Sequence, residues 1–456
     1  MAYNIVNRIL GLSFCLFFSN TLLADVNVRN MIFSASGVSE NDIISASVKS
    51  ALTLYDAYAL SISFTENLPI AGEDVVQAKS KHSESIGAYL PNISLNAEKS
   101  NSGSALQSGT TSAYIYGRQP IMTGLNELTG IYQSDKAASV SSNILKLTAS
   151  QQLLTVAQKF YTVCQLQSTL KNNREIVDLY KKIRAELLRR VAVGKNRRND
   201  VLRIDGQISR LEAQIASISS RLVAARSELA LSIGISAPVS FTGGIKLPPP
   251  AYKPGELSSF VYRRIEVIIA KENIEIAAIN LKTAMGGHLP SVFLEGSYRL
   301  YSNGDDPIDK YTVSVAASLP IFQGGIPSEK VSQAESVKRQ ADLILTRTIR
   351  AVEENIISSY DTWKSFIKQS EAYRKALDSA ERNYKITLSD YRLSLVTILD
   401  VFSVLTELQQ ARDDYTTAML ALELSRIKLG VAISEFPASG NKLLKNASVA
   451  ATGNLK

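Results

Sequence analysis

Residues 289–320 read LPSVFLEGSYRLYSNGDDPIDKYTVSVAASLP. After Pro290 the side chains alternate: Val292, Leu294, Gly296, Tyr298 and Leu300 share one side, and Ser291, Phe293, Glu295, Ser297 and Arg299 the other. Asn303-Gly304-Asp305-Asp306-Pro307 is turn chemistry. On the return, Tyr311, Val313, Val315, Ala317 and Leu319 oppose Thr312, Ser314, Ala316 and Ser318. A period of two is the mark of a strand, so the stretch predicts a hairpin. Strands of about ten residues, apolar on one side and polar on the other, suit the wall of a membrane β-barrel. A sheet packed on a soluble core shows the same alternation.

The pattern occurs twice. Ile93, Leu95 and Ala97 oppose Asn92, Ser94, Asn96 and Glu98, and Ala113, Ile115 and Gly117 oppose Ser112, Tyr114, Tyr116 and Arg118. Leu90-Pro91-Asn92-Ile93 resembles Leu289-Pro290-Ser291-Val292, and Pro120-Ile121-Met122-Thr123-Gly124 resembles Pro320-Ile321-Phe322-Gln323-Gly324. Val193-Gly194 followed by Asp200-Val201-Leu202 resembles Leu393-Ser394 followed by Asp400-Val401-Phe402. Four matches in order, counting Gly234 with Gly430 across a short indel, indicate a duplicated unit of about 200 residues. The repeats are read as residues 48–234 and 257–432, joined by a Pro-rich connector over 235–256 that contains Pro248-Pro249-Pro250. Pro91, Pro120, Pro290 and Pro320 are read as helix–strand junctions.

Four strands cannot close a barrel alone. The smallest single-chain membrane barrels have about eight, and an open sheet edge cannot face lipid. Any barrel here is shared between chains.

No proline lies between Pro120 and Pro238 or between Pro327 and Pro437, and both stretches read as long helices. Ile204, Ile208, Leu211, Ile215, Ile218, Leu222, Ala225 and Leu229 form a heptad seam. A second seam runs through Ile349, Val352, Ile356, Ser359, Trp363, Phe366, Ser370, Tyr373, Leu377, Ala380 and Tyr384. Gly194 and Ser394 mark the reversals between helices.

The chain has 456 residues, a net charge of +8 and a mean hydropathy of +0.02. That hydropathy argues against a bundle of membrane helices, and two cysteines exclude a disulfide scaffold. Arg8, the apolar run from Ile9 to Phe18 and Ala24 make residues 1–24 a secretory signal peptide. Cleavage would leave Cys164 as the sole thiol, expected in the core. Residues 25–47 form a separate N-terminal segment, and the Ser/Ala/Asn/Lys-rich tail over 433–456 reads as disordered.

No catalytic arrangement, cofactor motif or metal-ligand spacing is visible; His82 and His288 are the only histidines. Dispersed charge behind a signal peptide argues against a nucleic-acid partner.

Together these features resemble the outer membrane efflux protein (TolC) family. Leu52-Thr53-Leu54-Tyr55-Asp56-Ala57-Tyr58-Ala59-Leu60 resembles the family's opening helix, Leu90-Pro91 and Leu289-Pro290 its helix-to-strand junctions, residues 319–325 its strand-to-helix junction, and residues 391–401 its inner gate turn. The likeness covers about residues 48–432. It implies a mainly α fold with a membrane β-barrel portion. Three protomers would share a 12-stranded barrel in the outer membrane of a Gram-negative bacterium, and long coiled-coil helices would form an α-barrel in the periplasm. It also implies an exit duct for efflux or type I secretion, a homotrimer in outer membrane lipid, a periplasmic adaptor and an inner-membrane transporter.

By the same resemblance Asp200 and Asp400 line the periplasmic gate, and Tyr391 belongs to the bonds that hold it shut. Val396 and Ser403 depart from the family's arginine and second aspartate, so the latch must differ. Lys195, Arg197 and Arg198, beside Gly194 and facing the Ser394 turn in the repeat, are read as a possible adaptor contact or as a solvated charge run. The competing class is a periplasmic structural or adaptor coiled-coil protein, which has no need of duplicated amphipathic hairpins.

Overall fold

The computed structural model describes residues 20–49, 51–100, 110–235, 240–241, 247–248, 254–302, 310–437, 441 and 443–446. In chain order the first half contains α1 (Asn20–Ser36), α2 (Glu40–Ser47), β1 (Ala51–Leu52), α3 (Leu54–Phe64), α4 (Asn67–Gly87), β2 (Asn92–Ser100), β3 (Thr110–Thr123), α5 (Asn126–Ala192) and α6 (Arg198–Ile233). There follow β4 (Ser240–Phe241), a 3-10 turn (Pro254–Glu256), α7 (Leu257–Val261), α8 (Ile265–Gly286), β5 (Ser291–Ser302), β6 (Tyr311–Ser318), α9 (Ile326–Arg392) and α10 (Ile398–Ala432). Most of the expected signal peptide lies outside the described residues; α1 runs across its expected end.

The chain divides into two compact units, each drawing on both repeats. The first spans residues 70–145 and 265–350, with the described residues 20–24. It holds an antiparallel sheet in the order β2-β3-β5-β6. Directly opposed residues of an antiparallel pair lie on one face. Val292, Leu294, Gly296 and Tyr298 oppose Ala317, Val315, Val313 and Tyr311. Gly296 and Tyr298 also oppose Gly117 and Ile115, which in turn oppose Ile93 and Leu95. The alternation of both hairpins therefore merges into one apolar face. It is bare: Ile93, Leu95, Tyr311, Val313 and Val315 are each 65% exposed or more. On the polar face Arg118 pairs with Glu295 at 3.2 Å and stacks over Phe293 at 3.8 Å.

Pro91 and Pro290 immediately precede β2 and β5, and Pro320 follows β6. Pro120 differs from its expected junction role. It lies inside β3, opposite Phe293 and beside a register shift, and the strand continues to Thr123. A bulge tolerates the missing N–H of proline. Beyond it, Gly124 (φ 63°) packs against Gly286 at the end of α8. Helix α5 then follows α8 through polar contacts: Ser139 and Asn143 donate to Glu272 at 2.5 and 3.1 Å, and Lys136 pairs with Glu275 at 2.7 Å.

The second unit spans residues 25–69, 146–264 and 351–456. The α6 seam is confirmed: Ile204, Ile208, Leu211, Ile218, Leu222 and Leu229 are buried. The α9 seam is sparser, with Val352, Ile356 and Ala380 buried and Tyr373 exposed. Cys164 is buried, and burial pushes its thiol up to about 12. Helix α3 begins with a capping box between Thr53 and Asp56, and its residues Leu54 through Ile62 are all buried.

Around α3, residues 441 and 443–446 of the stretch expected to be disordered are docked, while residues 447–456 lie outside the described residues. Leu444 is fully buried, Asn441 donates to the Ser36 carbonyl at 2.7 Å, and Lys445 pairs with Asp42 at 2.5 Å. The same Asp42 carboxylate accepts from Ser39 and from the Tyr55 hydroxyl. Burial alone would raise its pKa, but the bonds from Lys445, Ser39 and Tyr55 hold it down at about 2. A carboxylate depressed in the folded state stabilises above its unfolded pKa and loses that contribution as pH falls through the folded value. Docking of the tail should therefore weaken between about pH 4 and pH 2. Limited proteolysis across this range should show release of residues 441–446, and Asp42→Asn should release them already at neutral pH.

The helix ends also correct the repeat. Gly234 (φ 70°) closes α6, with Ile235 N–H bonded to the Ala230 carbonyl at 3.0 Å. Its structural counterpart is Ser434 (φ 59°), with Glu435 N–H bonded to Gly430 at 2.8 Å, and not Gly430 itself. The repeat thus runs through without an indel, and α5 and α9 are both 67 residues long.

Candidate functional site: the paired helix turns

The residues singled out from sequence gather in the second unit where α5 reverses into α6 and α9 into α10. Both turns have one backbone form. Lys195 N–H bonds to Arg190 at 2.9 Å and Gly194 N–H to Val191 at 3.0 Å; Leu395 N–H bonds to Asp390 at 2.9 Å and Ser394 N–H to Tyr391 at 3.0 Å. These are Schellman motifs, which require a left-handed residue after the helix. Gly194 (φ 74°) takes this conformation freely, whereas Ser394 takes it at φ 63° with a Cβ. Ser394→Gly should stabilise the protein by up to about 1 kcal/mol, and Gly194→Ser should destabilise it similarly, as read by thermal unfolding in detergent.

The two aspartates are not equivalent. Asp400 is the third residue of α10 and closes a capping box: the Thr397 backbone N–H and hydroxyl donate to its Oδ2 at 2.7 and 2.6 Å. The Thr397 hydrogen bonds hold its carboxyl below the usual range. In the first repeat Arg197 occupies the cap position and makes no side-chain cap bond, so Asp200 is not held this way. Asp200 is half-buried and acts electrostatically on Tyr391.

Tyr391 is 2% exposed and belongs to an apolar cluster with Leu187, Ile204, Val401 and Leu405, against which Val396 also packs. Burial raises its phenol, partly offset by the Arg190 guanidinium. Arg190 stacks over the Tyr391 ring at 4.5 Å and donates to the Arg392 carbonyl at 2.9 Å. Glu186 lies between Arg190 and Arg392, at 3.5 and 3.7 Å. Arg190, Glu186 and Arg392 thus tie the first repeat's turn to the second's, a role the sequence reading did not assign. Nearby Arg184 donates to Asp205 through its Nε and Nη2. Lys195, Arg197, Arg198 and Arg203 remain exposed, as do Val193, Leu393 and Leu395. Among the described residues no group of His, Cys, Asp and Glu could hold a metal ion.

The outer membrane efflux protein family model matches residues 263–434. Outer membrane protein TolC of Escherichia coli K12 is 21% identical over 425 residues, covering 88% of this chain and 86% of the relative. TolC of Vibrio cholerae is 25% identical over 179 residues, 38% of this chain and 41% of the relative. The chain is thus similar to outer membrane efflux proteins, the family model matching within its second half. Solved channels share its fold. The Campylobacter jejuni CmeC channel superposes with a TM-score of 0.75 at 14% identity, over 91% of this chain and 92% of that one. Neisseria gonorrhoeae MtrE in its open state gives 0.71 at 16%, over 83% and 88%. The mainly helical fold of this chain, with one four-stranded sheet, is the fold of these outer membrane channels. Val396 is packed against the apolar cluster and Ser403 is exposed, so in this chain neither contributes an ion pair to the turns.

Proposed function

We propose that three copies of this chain form an outer membrane exit duct whose periplasmic end closes at the paired helix turns. One observation carries the reading: a single exposed apolar sheet face, backed by a polar face, with β2 and β6 left as open edges. Such a sheet satisfies its backbone in lipid only when its edges meet those of other copies. Three copies supply 12 strands, with the polar face turned to an aqueous lumen. Fractionation should find the protein in the outer membrane as a detergent-extracted, trimer-sized species; a soluble periplasmic monomer would refute the duct.

At the other end, the exposed Lys195, Arg197, Arg198 and Arg203 with Val193, Leu393 and Leu395 suit the docking of a periplasmic adaptor that couples the duct to an inner-membrane transporter. Arg190, Glu186, Tyr391 and Arg392 hold the two turns of a protomer together, with Asp200 beside them, and release of this tie accompanies opening. Reversing Arg197 and Arg198 to Glu should cut adaptor crosslinking in cells several-fold while leaving the trimer intact. Unchanged crosslinking and export would remove the adaptor role from the basic cluster.

A further inference from the structure

The two turns share a backbone form but not a charge. Residues 184–205 carry seven Lys and Arg against three carboxylates, Glu186, Asp200 and Asp205, whereas the matching residues 384–405 carry two against two. The carboxylates are also engaged. Glu186 lies between Arg190 and Arg392, and Asp205 accepts from Arg184. Asp400 and Asp200 stand in the first turns of α10 and α6, where the partial positive charge of a helix N-terminus offsets each of them. Ser403 leaves Asp400 the only carboxylate between Leu393 and Leu405.

Lys195, Arg197, Arg198 and Arg203 have no such offset. All four are exposed, and none forms an ion pair among the described residues. Two of them stand where helix physics disfavours them. Arg197 occupies the cap of α6 without capping it, and Arg198 opens the helix, at the end whose dipole repels cations. The turn does not need these charges to form. Their repeat equivalents are Leu395, Thr397, Ile398 and Ser403, on the same backbone and with a working cap. A local rule broken without a structural gain points to function. The sheet carries no comparable bias, since the charged residues of its polar face, Glu98, Arg118, Glu295 and Arg299, are two of each sign.

We propose that Lys195, Arg197, Arg198 and Arg203 make the periplasmic mouth of the duct electropositive, so that the channel selects anionic solutes. The assignment rests on the duct reading, which brings three copies of the first-repeat turn round one passage. Cations of one sign around a narrow mouth focus the field and raise the local concentration of anions by about tenfold or more at low salt. The charge acts over a Debye length, so it selects without contact to a particular solute.

The purified trimer in a planar lipid bilayer, with no adaptor present, tests this through its reversal potential under a KCl gradient. Near about 0.1 M salt chloride should permeate at least about three times as readily as potassium. The preference should largely vanish near about 1 M, where the Debye length falls to about 3 Å. Lys195→Leu, Arg197→Thr and Arg198→Ile together, the residues of the second turn, should abolish the preference, and the same three changed to Glu should invert it. Tyr391→Ala, which breaks the tie between the turns without altering charge, opens the mouth for the same measurement where the closed wild type passes too little current. A channel that prefers potassium, or triple variants that leave the ratio unchanged, would overturn the selectivity while the conducting trimer keeps the duct standing. Absence of conductance in both the wild type and Tyr391→Ala would overturn both.

Discussion

Replacing Gly286 by alanine is expected to cost the protein its folded hairpin unit at 37 °C. The added Cβ would stand 1.7 Å from the Gly124 oxygen and 2.7 Å from its carbonyl carbon, so backbone meets backbone and no rotamer change relieves it. Overpacking a core with side chains costs about 1–3 kcal/mol. Here the two segments must part by more than an ångström, which puts the cost at the top of that range or above. The strain falls where Thr123 pairs with Ser291, the first rung between the hairpins. Gly124→Ala meets a milder clash, 2.3 Å from the Gly286 oxygen, but its φ of 63° adds a conformational penalty, so it should be destabilised comparably. Gly130→Ala, inside α5 with nothing within 4 Å, should be neutral or gain up to about 1 kcal/mol of helix propensity. Heat-dependent gel mobility and trypsin resistance of the detergent-extracted protein separate these outcomes. A Gly286→Ala protein as resistant as wild type would show that the backbone can yield here.

The features that were legible in the chain are those written in periodicity. Two-residue alternation placed Val292 to Tyr298 and Tyr311 to Ala317 on one face, and the heptad at Ile204 to Leu229 is the buried stripe of α6. Local chemistry can be read too, but it competes with analogy. Thr397-x-x-Asp400 is a capping-box spacing, and the aspartate's observed partner is the Thr397 cap of its own helix. What failed was inference from identity where conformation is the repeating property. Gly234 recurs as Ser434 and not as Gly430, because the shared demand is a left-handed backbone and not a glycine; the Gly194–Ser394 pair, matched from its neighbours, obeys the same rule. The tie among Arg190, Glu186, Tyr391 and Arg392 joins residues one repeat apart, so no local spacing reports it. The tail looked disordered by composition, yet Asn441, Leu444 and Lys445 anchor it through specific contacts that average composition hides.

The other large effect is expected at Arg426, which is 3% exposed. Its guanidinium holds Glu435 through two bonds of 2.9 and 3.1 Å, and its Nε donates to the Pro248 carbonyl at 3.0 Å. The Phe436 ring lies 5.9 Å from the same group. One side chain therefore ties α10 to the connector between repeats and to the start of the tail. Arg426→Met keeps most of the volume but strips Glu435 of a bidentate partner in a buried site. Removing one member of such a pair costs about 3–5 kcal/mol, a large part of an ordinary net stability of about 5–15 kcal/mol. The exposed pair Lys81–Glu84 offers the contrast, since Lys81→Met should shift stability by under about 1 kcal/mol. Chemical unfolding followed by tryptophan fluorescence at Trp363 would measure both. Removing the second charge as well, in Arg426→Met with Glu435→Leu, should recover a substantial part of the loss, because an uncompensated buried charge and not a missing attraction dominates the single variant. If the double variant is no better than Arg426→Met alone, the bond to the Pro248 carbonyl carries the stability instead, and the connector rather than the tail is what Arg426 secures.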